Sequence, residues 1–266
     1  MKRIISLLSI SAILFTSCKK DKDEVSEYNP NVKADLSVEF DNVAGSADLQ
    51  LNTGNYTNAL GQQFKVTKLK YYVSNFKLTN VDGSVYTVPQ KDCYFLIDES
   101  DATSHMPVLS VPEGEYKTLS FMIGVDSLRN TMDVSQRTGS LDVSGAAADM
   151  YWSWNSGYIF FKMDGTSPAI TAMGGVFQYH VGGFGGYSTP TVNNLKTVTL
   201  DLTGRGNPKV KSSKETNIHL MVNILNAVNG TTNMDFSTTA MVHSPTAGVP
   251  VGNNYTSMIS HDHTEN

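Results

Sequence analysis

Met150-Tyr151-Trp152-Ser153-Trp154-Asn155-Ser156-Gly157-Tyr158-Ile159-Phe160-Phe161-Lys162-Met163-Asp164-Gly165 carries both tryptophans of the chain, with two tyrosines and two phenylalanines beside them. Tyr158, Phe160 and Lys162 alternate with Ile159, Phe161 and Met163, so a strand here is apolar on nearly both faces. That is the pattern of a central strand covered on both sides. Gly157 separates it from Trp152 and Trp154, which at i and i+2 point the same way in extended chain. Two indoles side by side at the mouth of the core are therefore expected. Their ordinary role is as core or rim anchors, because tryptophan brings a large buried area.

Outward from this stretch the chain reads as strand after strand. Leu36, Val38 and Phe40 alternate with polar residues, and Asp48-Leu49-Gln50-Leu51-Asn52 repeats the pattern. From Phe64 to Leu78 the apolar phase slips twice, which predicts a long strand with a bulge or bend rather than a helix. Val81-Asp82-Gly83-Ser84 is a hairpin turn signal. Tyr94 to Ile97 reads as a strand, and Leu119, Phe121, Ile123 and Val125 alternate after the turn Val111 to Tyr116. Asp126 to Arg137 is the place for a short helix. Phe177 to Val181, then Val198, Leu200 and Leu202, then Ile218, Leu220, Val222 and Ile224 complete the set. About nine or ten strands with very little helix predict an all-β protein, an antiparallel β-sandwich. No internal repeat interrupts it.

The N-terminus has a different composition. Lys2 and Arg3 precede an apolar run from Ile4 to Phe15, too short for an ordinary transmembrane helix. Thr16-Ser17 before Cys18 resembles a bacterial lipobox, so residues 1–17 are expected to be a lipoprotein signal peptide and Cys18 the lipidated residue. Residues 18–33, rich in Lys, Asp and Glu, are expected to be a flexible tether, and residues 34–266 a single domain. The acidic residues after Cys18 resemble the surface-export signal of Bacteroidetes lipoproteins. The expected location is therefore the outer membrane of a Gram-negative bacterium, facing the periplasm or the outside. Cys93 is then the one cysteine of the domain; it sits in an apolar run and is expected to be a small buried hydrophobe without a disulfide. About 230 residues suffice for a core without such staples. With 25 acidic against 20 basic side chains the chain has no footprint for nucleic acid.

Familiar catalytic signatures are absent: no His-Glu-x-x-His, Gly-x-Ser-x-Gly, Cys-x-x-Cys or phosphate loop occurs. A non-enzymatic role is expected. The histidines carry the remaining chemistry. His180 lies on the more polar side of its strand, His219 shares a face with Met221, and Met241 is two residues from His243. Imidazole with thioether suits copper, above all Cu(I). A strand histidine is ordinarily a hydrogen-bonded surface residue, and His261-Asp262-His263 reads as a solvent-exposed tail without a task.

Met150-Tyr151-Trp152-Ser153-Trp154 with Gly157-Tyr158 resembles the signature of the methanobactin-associated periplasmic copper-binding proteins, the MbnP family. Gly61-Gln62-Gln63-Phe64, Leu69 to Asn75, Pro112-Glu113-Gly114, Phe121 to Ser127, Gly139 to Asp142 and Tyr179-His180-Val181-Gly182 follow in the family's order, over roughly Leu36 to Leu202. The resemblance implies a copper-binding β domain. It also implies a diheme, peroxidase-like partner that oxidises a tryptophan, here Trp152 or Trp154. Two family histidine positions read Ser74 and Asn130-Thr131 in this chain, and four motif cysteines are missing. His180 does match, and is expected to be a copper ligand or to lie directly behind one. His219 with Met221, or Met241 with His243, are the candidates to complete the sphere. The alternative is an adhesion or glycan-binding lipoprotein whose clustered aromatic rings stack on sugars.

Overall fold

Gly157–Thr166 is a strand because its side chains leave no polar face to show to water: from Tyr158 to Met163 every residue is buried, Lys162 included. The structure, a computed structural model, describes residues 28–154 and 157–266. The expected signal peptide, Cys18 and most of the expected tether lie outside the described residues. Of the tether's end, the Tyr28 ring lies under the Lys211 ammonium and the Asn29 amide donates to Glu113.

Sixteen strands are described: β1 (Lys33–Ala44), β2 (Ala47–Asp48), β3 (Tyr56–Thr57), β4 (Gln63–Asn80), β5 (Val85–Thr87), β6 (Tyr94–Asp98), β7 (Val108–Pro112), β8 (Gly114–Ile123), β9 (Tyr151–Trp152), β10 (Gly157–Thr166), β11 (Val176–Gly182), β12 (Lys196–Asp201), β13 (Lys209–Val210), β14 (Asn217–Asn223), β15 (Met241–Val242) and β16 (Ile259–Glu265). Ten of them, β1, β4, β6, β7, β8, β10, β11, β12, β14 and β16, have five residues or more. Besides pairs and triplets too short to carry a pattern, periodicity missed β7 and β16, and of the strand expected at Asp48 to Asn52 only the Ala47–Asp48 pair forms.

They form two sheets. The larger runs β12-β8-β4-β10-β11-β15, with short strands attached, and the smaller runs β16-β14-β1-β2, with β7 also on β1. Most pairings are antiparallel, as expected of the sandwich; β1 with β14 and β11 with β15 are parallel. The sheets meet through Phe40 of β1, whose ring packs edge-on against Phe121 of β8 and Tyr71 of β4. Phe76 stacks on Phe121 from the same sheet. The Tyr71 hydroxyl donates to Asn42 Oδ1 at 2.9 Å, so the one polar atom of that ring is satisfied across the core.

The two phase slips of β4 are two irregularities in its ladders. Against β10 the register moves from Asp164↔Lys68 to Gly165↔Val66, leaving Thr67 over. Against β8 it breaks between Ser74 and Lys77, where Asn75 takes a φ of +55°. Each extra residue turns the strand so that the next apolar side chain again faces inward. The turn at Val81 to Ser84 joins β4 to β5 with Gly83 at a φ of +92°. In the stretch expected to be helical, one α-helical turn forms, α1 (Ser127–Asn130), capped by Asp126, with a 3-10 turn at Val134–Gln136; two further short α-helices, α2 (Leu225–Val228) and α3 (Val249–Asn254), follow. Cys93 is buried, and burial pushes its thiol up, which keeps it in the unreactive form. Among the described residues no helix is long and apolar enough to cross a membrane.

Candidate metal centre

β10 and β11 pair with Lys162 opposite His180 and Asp164 opposite Gln178. Phe177, Tyr179 and Val181 point into the core, so Gln178 and His180 stand on the outer face of the large sheet. His180 Nε2 is 2.7 Å from Asp164 Oδ1. A proton on Nε2, given to that carboxylate, leaves the Nδ1 lone pair free; a carboxylate behind an imidazole is the usual support of a metal-bound histidine. Parallel to β11 lies β15, with Met241 opposite Gln178 and Val242 opposite Tyr179. The next residue, His243, stacks on His180 with ring centroids 4.6 Å apart and 29° between planes. Burial, then the neighbouring His180, pulls His243 below its ordinary value, so its ring is neutral at pH 7, the form that binds metal. Met241 shares the face of His243 by strand alternation.

Of the candidates proposed to join His180, the structure thus brings His243, with Met241 on the same strand face. His219 and Met221 are on β14 of the smaller sheet, with the core-facing Ile218, Leu220 and Val222 between them and the other sheet. His219 has other neighbours. Residues 261 to 263 belong to β16, paired with β14, and are not an idle tail. His219 Nδ1 is 3.3 Å and His263 Nδ1 2.7 Å from one oxygen of Asp262, and the two rings lie 4.8 Å apart. The Asp262 carboxylate lifts His263 above its ordinary value.

The two tryptophans do lie side by side, ring centroids 4.9 Å apart and 25° between planes. Trp152 is half-buried, whereas Trp154 is 48 % exposed. Trp152 lies over Gly182: a Cβ there would come within 2.8 Å of its ring. Gly182 is two residues beyond His180 on the same strand, so the indole sits about 7 Å along the face from the histidine position. The expected neighbourhood of His180 and Trp152 follows from this.

The positions where the resemblance places further histidines are closed. Ser74 is buried and donates to the Gly124 carbonyl at 2.7 Å. Asn130, also buried, donates to the Val125 carbonyl and accepts from the Tyr158 amide at 2.9 Å. Arg137 caps this region, donating to the Asn130 and Met132 carbonyls and to the Tyr151 hydroxyl. Sequence reasoning did not single out Arg137, Asp164 or Asp262. Their roles depend on how the strands and turns set side chains face to face, which no local pattern shows.

The fold and the site together define a two-sheet β protein with a paired-imidazole site on its outer face. A model of the MbnP family matches residues 33–245, and the chain belongs to that family. Among solved structures, MbnP from Methylosinus trichosporium is similar, with a TM-score of 0.54 at 18 % identity, over 81 % of this chain and 82 % of that one. At that identity the likeness speaks for the fold. No curated protein matches the chain.

Proposed function

We propose that this protein is a lipid-anchored copper-binding protein whose copper is held by His180 and His243. The observation that carries the reading is the His180–His243 stack with Asp164 on Nε2 of His180. Two imidazoles with a thioether on the same strand face form a soft, borderline donor set, which fits copper. Asp164 orients His180 through Nε2, and desolvation with the neighbouring His180 holds His243 below its ordinary value, in the form that binds metal. Met241, two residues before His243, is the proposed sulfur donor. The role is to bind and hold the ion, with no catalytic constellation needed. Family membership supports copper as the metal.

The anchor is the Cys18 lipid, at the outer membrane, facing the periplasm or the outside. A diheme peroxidase-like protein is the proposed partner, with Trp154 the indole it reaches, since Trp154 is the exposed member of the stack. Cu(I) titration of the protein tests the centre. His180→Ala is expected to lose at least tenfold in affinity, and His243→Ala a similar factor. Unchanged Cu(I) affinity in both variants overturns the reading.

The exposed face of Trp154 also favours a second reading, a sugar-stacking surface. Saccharide binding that disappears in Trp154→Ala while copper binding is absent from the native protein would establish that one instead.

A further inference from the structure

On the outer face of the smaller sheet a second imidazole pair is organised differently. Opposite each other across β14 and β16 stand His219 and His263. Strict alternation would turn Asp262 away from both. The ladder slips between His219 and Leu220, where Leu220 pairs with His261, and Asp262 is the extra residue. That bulge re-aims the Asp262 carboxylate onto the histidine face, a recurrent use of bulges beside functional sites. One oxygen of Asp262 then faces the Nδ1 atoms of both rings, at 3.3 Å and 2.7 Å. The far nitrogens face carboxylates too. His219 Nε2 is 3.5 Å from Asp41 on the neighbouring β1, and His263 Nε2 is 3.5 Å from Glu265. Asp262 only accepts, so at 2.7 Å His263 Nδ1 donates to it when no ion is bound; an ion would take the place of that proton, with the Nε2 carboxylates supporting both rings from behind.

The ligand atoms of His219, Asp262 and His263 all lie within 4.8 Å of one another. Ligands bound at about 2.1 Å and separated by 90–109° are roughly 2.9–3.4 Å apart, so the cluster needs only small shifts to close on an ion. Arg205, 3.7 Å from the other oxygen of Asp262, is the nearby fixed cation, against the three carboxylates Asp41, Asp262 and Glu265. A divalent ion offsets that excess. Asp262 and His263 both lie beyond residue 245, where the family match ends.

We infer that His219 Nδ1, His263 Nδ1 and the Asp262 carboxylate form a second metal site, for a divalent first-row transition ion bound through two nitrogens and one oxygen. The set has a hard oxygen and no sulfur, so it suits Zn(II) or Cu(II) rather than Cu(I). His263 and Asp262 are solvent-accessible, which leaves the remaining coordination positions to water or an outside ligand.

Zinc titration of the full chain, by binding stoichiometry and by the zinc-induced rise in melting temperature, tests it. The double variant His180→Ala/His243→Ala removes the copper centre of the preceding proposal. It is expected to keep one zinc equivalent and the stabilisation by zinc. Asp262→Asn, nearly isosteric, and His219→Ala are each expected to weaken that equivalent at least tenfold and to abolish the zinc-induced shift. Asp262→Asn melting like the native chain without zinc confirms that the fold is kept. Zinc binding and stabilisation unchanged in both Asp262→Asn and His219→Ala would overturn the site, whatever the outcome at His180 and His243.

Discussion

Trp152 and Trp154 are two positions apart and stacked on each other, yet they face different surroundings. Trp152 presses on Gly182 and is half-buried; the outer ring, Trp154, is open to solvent. Burial decides cost. Trp152→Ala is expected to lose about 2 kcal/mol, roughly half of what a fully buried tryptophan costs. Trp154→Ala should change stability by no more than about 0.5 kcal/mol. Chemical denaturation of the two variants checks the contrast, and equal losses would contradict it. A second residue, Asp149, gathers three ammonium groups, those of Lys68, Lys70 and Lys162. Burial pushes its carboxyl up, but the Lys68 hydrogen bond and the charges of Lys162, Lys70 and Lys68 outweigh that and hold it at about 2. A depressed folded pKa stabilises above the unfolded value near 3.8 and loses that contribution as pH falls towards 2. Asp149 is partly exposed, so screening reduces the contribution to about 1 kcal/mol. Asp149→Asn is expected to lower the urea midpoint at pH 7 and to flatten the acid limb between about pH 4 and 2.

At the scale of elements, β10 organises the large sheet because it is hydrogen-bonded on both edges, to β4 and β11, and buried on both faces. Phe161 lies in its middle, pairing with Tyr71 and Val181 and packed near the Tyr255 ring. Phe161→Ala is expected to cost about 3–5 kcal/mol, read from the denaturation midpoint. A loss under about 1 kcal/mol would show that β10 is not the covered strand described. The bulges are the second organising device. Those in β4 keep its apolar side chains inward through eighteen residues, and the one in β16 turns Asp262 outward to the histidines. The bulges in β4 leave a trace in sequence, because a long strand shows its phase slip in the apolar pattern. The bulge in β16 leaves none, since His261, Asp262 and His263 are all polar and any register looks alike.

For the molecule as a whole, the two imidazole pairs stand on the outer faces of opposite sheets, each beside a carboxylate that orients one ring. The amino-acid sequence by itself determined the all-β class, the covered strand with its tryptophan lead-in, the bends of β4 and the family. These follow from alternation and from contiguous motifs, which are local properties of the chain. Pairing of the histidines was decided only by the tertiary structure. His180 meets His243 because β15 returns, after a long excursion, to lie parallel to β11. His219 meets His263 because β16 folds back on β14, which made a strand of residues that read as an idle tail. The order of strands in a sheet is set by how both sheets bury their apolar faces together, a property of the whole packed core that no short window of sequence contains.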